Sequence, residues 1–534
     1  MPELKKSIPT VTRSSQRSSH RNQVTALITS VTYGDDLSRT ILTTGAMPPS
    51  VEGFVKACVL GGLLLAVAGV SFAEPTTSSS PCDSAFWWLA GGISPSRVER
   101  LVSERAPACH ATPQCVSSLQ KAGASAHLLQ SLSQKSAGSP ACVSASPAAQ
   151  IAILMHDKNF DAAEDKVRAL LRDDARNPWA HFVLGTILRE QGQFDDAFDS
   201  FVESAKLAPG FPETHNQLSY LFYRDDDAEN AVAEARTALS MDPKNAEAYR
   251  YLGLAQYAAG HYDAALNAFQ QSLIREPGSA DVYYDMGITL RDQGDLRRAA
   301  IAYRHAISLR PDFWEAHSNL GVVLHDQGRL DDAVIEYLAA RKLNPQEASI
   351  RNNLGNTYCD QNDFDSAIAE FRDLYRQNPE WDGGHNCLAR AYMSKHDYNS
   401  AVRELQAAIR ANPSGAAEHR VLGQALLLLG KDQDAVGVLR KAVSLNPDSA
   451  LAHHYLGTAF VNTQQLTEAE KEFREALRLD HSAQNHYSLA ACLVALSRFE
   501  EALAELEIAS RLDPSQDLYR ARMQEVVKLI TTSK

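Results

Sequence analysis

The stretch PKNAEAYRYLGLAQYAAGHYDAALNAFQQSLIREP, from Pro243 to Pro277, contains one complete period of this sequence. It begins and ends on a proline, carries a Leu-Gly pair that starts at Leu252, and has Ala265 and Phe269 further along. The prolines recur every 34 residues: Pro209, Pro243, Pro277, Pro311, Pro345, Pro379, Pro413 and Pro447. A fixed period of this length predicts a repeat architecture rather than a set of unrelated domains.

Each period predicts two amphipathic helices, which we call helix A and helix B. Helix A carries an anchor, Leu or Met, usually followed by a small residue, and helix B carries Ala, a large apolar residue and Ala on one face. The proline then blocks further helix. Downstream aspartates such as Asp195, Asp263 and Asp331 are placed to cap helix B. Because one hairpin cannot bury both faces, neighbours must stack. The ten anchors are Leu184, Leu218, Leu252, Met286, Leu320, Leu354, Leu388, Leu422, Leu456 and Leu489.

This pattern resembles the tetratricopeptide repeat, a helix-turn-helix unit of the same length with Leu-Gly, an aromatic residue, Ala, Phe, Ala and Pro at these offsets. The resemblance covers ten repeats at 178–515, a degenerate repeat at 142–177, and a capping helix and tail at 516–534. It implies an all-α fold, an α-solenoid of stacked helix-turn-helix repeats that winds as a right-handed superhelix. In that family helix A lines the concave surface.

The amino-terminal segment predicts export. Residues 1–46 show no apolar period and are expected to be disordered or untranslated, with Met47 as an alternative start. Residues 47–73 have the layout of a signal peptide or signal anchor: Lys56, an uncharged run from Ala57, and small residues before Ala73. We therefore expect a periplasmic or secreted protein, or one anchored in the membrane with its repeats outside the cytoplasm. The third interpretation of the uncharged run is a buried helix of a soluble protein.

Residues 74–141 predict a small, separate helical unit, with Ser94 and Ser125 as helix N-caps. Disulfides are expected among four cysteines in or beside it, with three pairings open: Cys82, Cys109, Cys115 and Cys142. Within the repeats, Cys359 and Cys387 are predicted to lie too far apart for a disulfide, because their positions along neighbouring A helices differ by six residues.

Composition and motifs argue against several function classes. The 534 residues carry 52 Lys and Arg against 65 Asp and Glu, a net charge of −13, which does not suit binding to a phosphate backbone. The sequence lacks a Gly-rich phosphate loop and the H-E-x-x-H, G-x-S-x-G and C-x-x-C motifs. We predict no enzyme activity, no catalytic residues, no cofactor, no metal, no nucleic-acid partner and no small-molecule substrate. The histidines are interpreted as scattered solvated or core residues.

The resemblance also implies a binding groove. In that family, residues two before and two, five and six after the anchor point into it, and Tyr, Arg and Asn at such positions suit extended peptides. The positions implied here are Asn216, Tyr220, Tyr223, Arg224, Arg250, Tyr257, Tyr284, Arg291, Asp292, His325, Asn352, Asn356, Asp360, Asn386 and Arg390. Towards the carboxyl end the same offsets become apolar: Leu427, Leu428, Val461 and Val494.

We therefore predict a protein–protein interaction scaffold that binds peptide or protein segments on the concave face, with the membrane contacted only through 57–73. A wetted groove without a single ligand remains open. Two alternatives also remain: a substrate-recognition subunit of a glycosyltransferase-type enzyme acting in trans, and a membrane-anchored assembly factor.

Overall fold

The computed structural model describes residues 83–105, 111–133 and 146–532. Within these ranges the chain forms 27 α-helices and no β-strand, which confirms the predicted all-α fold. The helices are α1 (Asp83–Ala90), α2 (Pro95–Arg105), α3 (Pro113–Lys121), α4 (Ala126–Ser133), α5 (Pro147–His156), α6 (Phe160–Asp173), α7 (Pro178–Glu190), α8 (Phe194–Leu207), α9 (Pro212–Arg224), α10 (Ala228–Met241), α11 (Ala246–Ala258), α12 (Tyr262–Arg275), α13 (Ala280–Asp292), α14 (Leu296–Leu309), α15 (Trp314–Asp326), α16 (Leu330–Leu343), α17 (Ala348–Asp360), α18 (Phe364–Gln377), α19 (His385–Ser394), α20 (Tyr398–Ala411), α21 (Ala416–Leu428), α22 (Asp432–Leu445), α23 (Ala450–Asn462), α24 (Leu466–Leu479), α25 (Ala483–Ala495), α26 (Phe499–Leu512) and α27 (Asp517–Thr532).

The Leu-Gly pair of helix A is explained by the large residue of helix B. A β-carbon added to Gly321 would lie 2.7 Å from the ring of Tyr337, and one added to Gly457 would lie 2.8 Å from the ring of Phe473. The absence of a side chain therefore lets the two helices of a hairpin approach until the ring covers the glycine. Both rings are buried, so this contact forms part of the core of each hairpin.

The turn between the two helices differs from the prediction. Asp263 and Asp331 lie inside the first turn of helix B, and neither α12 nor α16 has a side-chain cap hydrogen bond. Helix B begins two residues earlier than expected, so these carboxylates lie past the capping position. Asp263 and Asp331 instead accept hydrogen bonds of 2.9 and 2.7 Å from the side-chain amides of Gln293 and Gln361, at the end of the next helix A. Asp227, two residues earlier in its repeat, does cap α10.

The chain divides into two compact units, and the boundary in the sequence lies between Gln293 and Gly294. Unit 1 contains α1–α4, the degenerate hairpin α5–α6, the repeats from α7 to α12, and α13. Unit 2 contains α14, the six repeats from α15 to α26, and α27. Within each unit, every hairpin packs on the next one, as α10 does on α11 and α20 on α21. This is the stacking that the repeat pattern predicts.

The helices α1–α4 do not form a separate core, so that part of the prediction is wrong. Phe86 and Trp87 of α1 belong to the same buried cluster as Ile151 of α5 and Phe182 of α7. Four helices this short cannot bury their apolar faces among themselves, and they complete their core on the first hairpins. The predicted cap of α4 is present, since the Leu128 amide donates to Ser125 Oγ at 3.1 Å.

The carboxyl-terminal helix α27 covers the last repeat of unit 2. It packs against α26, with Tyr519 and Val526 buried at 5% and 1% exposure. It begins at Asp517, close to the predicted start of the capping segment at 516. Without such a helix, the apolar face of the final hairpin would be open to water.

The predicted separation of Cys359 and Cys387 is wrong, because the two residues form a disulfide with a Cα–Cα distance of 5.9 Å. The prediction assumed neighbouring A helices in register. However, the position five after one anchor faces the position one before the next anchor, as Arg189 and Gln217 also show with a hydrogen bond between α7 and α9, likewise 28 residues apart. The helix α19 itself is ten residues long instead of thirteen and begins only after Gly384, which has a φ of 88°.

Several predictions fall outside the described residues: the segments 1–46 and 47–73, Cys82, Cys109 and Cys142. Cys115 is described, is fully buried and takes part in a disulfide bond. None of the helices in the described ranges combines the length and the apolar character that crossing a membrane requires.

Candidate functional site

The candidate site is the set of positions two before and two, five and six after each anchor, which we call the helix-A face. In unit 1, these positions form hydrogen bonds between neighbouring A helices. Arg250 Nε donates to Asp285 Oδ2 at 2.6 Å, and the Tyr257 hydroxyl donates to Asp292 Oδ2 at 2.5 Å. Both bonds join residues 35 apart. The polar groups of this part of the face are therefore engaged with one another.

Burial controls the electrostatics of the unit 1 face. Burial raises the pKa of Tyr223 to about 12, and the negative charge of Asp285 acts in the same direction. The pKa of Asp285 is raised by burial against the opposing effect of Arg250. Burial also raises the pKa of Glu247, which accepts a 3.2 Å hydrogen bond from the Tyr251 hydroxyl. These groups are partly removed from water and already paired, which leaves them little capacity to bind a ligand.

Two of the predicted groove residues do not lie on an open surface. Asn216 is fully buried, and neither polar atom of its side chain has a hydrogen-bond partner among the described residues. The Arg224 guanidinium stacks 3.4 Å from the ring centroid of Phe194, at the start of helix B in the preceding repeat. The offsets carried over from the family therefore place a buried side chain at position 216, and a half-buried one already engaged by an aromatic ring at position 224.

The amino-terminal helices cover this end of the face. The backbone carbonyl of Gly91, just after α1, lies 3.5 Å from the hydroxyl of Thr186, two residues after the first anchor. On α2, Arg97 is 7% exposed and forms a 2.7 Å ion pair with Glu213, which is 1% exposed, and a further ion pair with Asp242. The chain thus occupies the face of its own first repeats with its amino-terminal unit.

In unit 2, the helix-A face is open and polar between the repeats of α15 and α19. His325 Nε2 lies 3.1 Å from Asp360 Oδ2, and Arg390 Nη2 lies 3.3 Å from Asp360 Oδ1. The side chains of Asp360 and Arg390 are 44% and 52% exposed. Asn386 is exposed and donates to Glu418 at 2.9 Å. Amide, carboxylate and guanidinium groups on one accessible face can pair with both donors and acceptors of a peptide backbone.

Further along unit 2 the face becomes apolar. Leu428 is 51% exposed, and Leu427, Val461 and Val494 are half-buried. A segment that lies along this face would therefore pass from polar groups to apolar ones. This order agrees with the sequence, where the same offsets change from Asn and Arg to Leu and Val.

One residue of this site was missed by sequence reasoning. Trp381 lies in the loop before α19, and its Nε1 and the Oδ1 of Asn352 are both buried without a hydrogen-bond partner among the described residues. Both atoms lie close to Gly383, since a β-carbon there would be 2.8 and 3.1 Å from them. The signal in the sequence was the pair Gly383-Gly384, which interrupts the predicted first turn of helix A.

The predicted site residues thus divide between the two units. Unit 1 holds Asn216, Tyr220, Tyr223, Arg224, Arg250, Tyr257, Tyr284, Arg291 and Asp292. Unit 2 holds His325, Asn352, Asn356, Asp360, Asn386 and Arg390. In the described ranges, no three or more His, Cys, Asp or Glu side chains come together in a way that could hold a metal ion.

Comparison with family models agrees with the repeat pattern and the hairpin geometry. The model of the tetratricopeptide repeat matches residues 156–212, 216–281, 284–348, 336–380 and 388–450, together more than half of the chain. The chain belongs to the tetratricopeptide repeat family. A second model, for anaphase-promoting complex, cyclosome, subunit 3, matches residues 430–509 of this tetratricopeptide repeat protein. Proteins built from these repeats generally act as non-catalytic interaction scaffolds.

Solved structures resemble parts of this tetratricopeptide repeat protein. MamA is 27% identical, over 31% of this chain and 97% of its own, with a TM-score of 0.27. Pseudomonas aeruginosa pilF is 19% identical, over 39% and 95%, with a TM-score of 0.35. YrrB, described as a TPR protein with an unusual peptide-binding site, is 21% identical, over 37% and 99%, with a TM-score of 0.30. No curated protein matches the chain.

Proposed function

We propose that this protein is a non-enzymatic scaffold that binds an extended protein segment along the helix-A face of unit 2. The observation that carries the proposal is the contrast between the two units. In unit 1 the first repeats are covered by α1 and α2 and the Arg250–Asp285 bond is part-buried, whereas in unit 2 the pairs made by Asp360, Asn386 and Arg390 are exposed. Exposed groups of this kind are available to a partner without first breaking a buried contact.

The chemistry of the face defines the partner. Its polar part, around Asn386 and Arg390, suits a segment whose backbone amides are free to pair. Its apolar part, around Leu427 and Leu428, suits apolar side chains further along the same segment. The expected partner is therefore an extended segment with free backbone groups at one end and apolar residues at the other.

A photo-reactive amino acid at position 386 tests this proposal in the full-length protein. Cross-linking in the source cells should capture a partner from position 386 and not from position 216, which is buried. The partner, once identified by mass spectrometry, should bind Asn386→Ala/Arg390→Ala at least about tenfold more weakly than the native protein, a loss of about 1.4 kcal/mol.

Arg376→Ala provides the matched control. Arg376 lies on helix B of the same unit, is 72% exposed and forms only an ion pair with Asp373 one turn away. Its replacement should leave binding unchanged. Equal affinity of the native protein and the Asn386/Arg390 double variant would refute the proposed face.

We also propose that the repeats function outside the cytoplasm. The Cys359–Cys387 disulfide supports this location, because buried structural disulfides form and persist in oxidising compartments. Mass spectrometry of the protein from its source cells tests the proposal. A mature chain that starts near Glu74 indicates a cleaved signal, and recovery of residues 57–73 in the membrane fraction indicates an anchor. Full-length protein in the cytosol, with reduced Cys359 and Cys387, would contradict both.

A further inference from the structure

Histidines recur at one position of the repeat. In five repeats the residue three before the anchor is a histidine whose Nδ1 faces a glutamate nineteen residues later, on helix B of the same hairpin. The pairs and their Nδ1–Oε2 distances are His215–Glu234 (2.6 Å), His317–Glu336 (2.7 Å), His385–Glu404 (2.8 Å), His453–Glu472 (2.6 Å) and His486–Glu505 (2.6 Å). These histidines are therefore periodic, in contrast to the interpretation from sequence.

The hydrogen bonds identify the protonation state in two of these pairs. His317 Nε2 lies 3.3 Å from the carbonyl oxygen of Pro311, and His453 Nε2 lies 3.0 Å from that of Pro447. The other ring nitrogen of each histidine faces a carboxylate. Carboxylates and carbonyls only accept hydrogen bonds, so both ring nitrogens must donate. A ring that donates from both nitrogens is an imidazolium, and each pair is then an ion pair.

The repeat between α17 and α18 supports this assignment. There the same position is occupied by Arg351, and its guanidinium Nη1 lies 3.2 Å from Glu370 Oε2, also nineteen residues later. Arginine is permanently charged. In this repeat the residue three before the anchor is therefore a permanent cation, and it pairs with the same glutamate position as the histidines do.

Each imidazolium connects three parts of a hairpin. His317 lies in the first turn of α15, Glu336 lies on α16, and Pro311 lies in the turn before α15. The His317 and His453 side chains are only 13% and 8% exposed, so solvent screens these ion pairs weakly. We call each His–Glu pair with its carbonyl contact a brace.

The carboxylate that faces His317 favours the protonated form of the ring. Hydrogen bonding with Glu336 raises the pKa of His317, and burial opposes this effect. The guanidinium of Arg310, in the preceding turn, lies over the ring of Phe313.

At His453, α24 contributes two carboxylates. Glu472 is in direct contact with the ring, and the charges of Glu475 and His453 interact. Arg478 pairs with Glu475 at 2.6 Å. On α25, Asn485 contacts the neighbouring His454.

We propose that the His317 brace is a pH-responsive device in unit 2, which holds helix A to helix B while the imidazole is protonated and releases this hold when the proton leaves. The inference is independent of the proposed function. A histidine whose folded-state pKa exceeds its unfolded value of about 6.5 contributes stability that is complete below that pH. The contribution is lost as the pH rises through the higher, folded-state pKa. The hairpin of α15 and α16 should therefore loosen towards alkaline pH.

Selective 15N labelling of histidine in the full chain tests this inference directly. A His317→Gln variant assigns the ring signal of His317, which is then followed by NMR from about pH 5 to about pH 9. This ring should titrate above about 6.5, because Glu336 favours its protonated form. Glu336→Gln should lower the midpoint. Titration of the native His317 ring at or below about 6.5 would overturn the proposal.

His419 is the matched control. It occupies the same position in the repeat of α21, but its Nδ1 faces the carbonyl of Gly415 at 2.8 Å, and Val438 stands where the glutamate would be. The melting temperature of the native protein should fall between pH 6 and 9 more steeply than that of His317→Gln, whereas His419→Gln should keep the native slope. Equal slopes for all three proteins would contradict the proposal.

Discussion

The glycine after the anchor is the residue on which each hairpin depends most directly. A β-carbon on Gly457 would lie 2.8 Å from the ring of Phe473, which is 3% exposed and cannot move into solvent without leaving the core. We expect Gly457→Ala to destabilise unit 2 by about 1–3 kcal/mol through overpacking, in spite of the higher helix propensity of alanine. A lower midpoint of urea unfolding, followed by circular dichroism, would measure the effect.

Gly437 gives the opposite expectation for the same substitution. It lies on α22, is exposed, and has no atom within 4 Å of an added β-carbon. Gly437→Ala should therefore raise stability by roughly 0.5–1 kcal/mol, because only the entropy of the unfolded chain changes. If both alanine variants shifted the midpoint in the same direction, close packing would not explain the Leu-Gly pair.

Sequence alone predicts contacts of this kind because their partners lie close in the chain. Gly457 and Phe473 belong to one hairpin, and the period repeats their relation in other repeats. The burial of Asn216 has no such signal. Arg97 and Glu213, which bring the covering helix α2 to the start of α9, are 116 residues apart and belong to no repeat.

At the scale of elements, the angle at which neighbouring A helices cross decides which of their residues meet. Pairs such as Arg250–Asp285 and His325–Asp360 join residues 35 apart, whereas the Cys359–Cys387 disulfide and the Arg189–Gln217 hydrogen bond join residues 28 apart. A count of positions along each helix does not contain this angle, and so it did not predict the disulfide. The late start of α19 was not predicted either, because a glycine pair is compatible with a helix and a break alike.

We expect Cys359→Ser/Cys387→Ser to destabilise unit 2. The disulfide closes a loop of 28 residues, for which the chain-entropy model gives roughly 3–4 kcal/mol. Urea unfolding without reductant measures the change. Reductant should then shift the midpoint of the native protein more than that of the double variant, whose remaining response comes from the bond of Cys115.

Cys492→Ser is the control for this prediction. Cys492 is a free, fully buried thiol whose pKa is raised by burial to about 11, so it resists oxidation and does not cross-link the fold. Its variant should respond to reductant as the native protein does. A double variant that unfolds at the native midpoint would show that the disulfide adds no stability.

At the scale of the molecule, the two units use the same repeat differently. In unit 1 the helix-A face forms internal pairs and contacts α1 and α2, whereas in unit 2 many residues of this face are exposed. The repeat pattern predicts the hairpins in both units, because periodicity records local packing. It does not record which face a non-repeated segment covers, and so the sequence could not separate an occupied groove from an open one.

Docking of the amino-terminal helices depends on a buried ion pair. Arg97 and Glu213 are 7% and 1% exposed, and Arg97→Ala would leave the carboxylate of Glu213 buried without its partner. Breaking such a pair costs about 3–5 kcal/mol. Because the loss falls on the contact between α2 and α9, we expect faster hydrogen exchange in α2 and around Asn216, while helices of unit 2 keep their native exchange rates.

Two further variants separate this effect from a general loss of charge. Arg168→Ala removes an arginine that is 48% exposed and pairs with Glu164 one turn away, so its cost should stay below about 1 kcal/mol. Arg97→Met/Glu213→Gln removes both buried charges and should recover much of the protection that Arg97→Ala loses. If exchange in α2 were the same in the native protein and in Arg97→Ala, the ion pair would not be what holds the amino-terminal helices on unit 1. The apolar contacts of Phe86 and Trp87 with Phe182 would then be sufficient for docking.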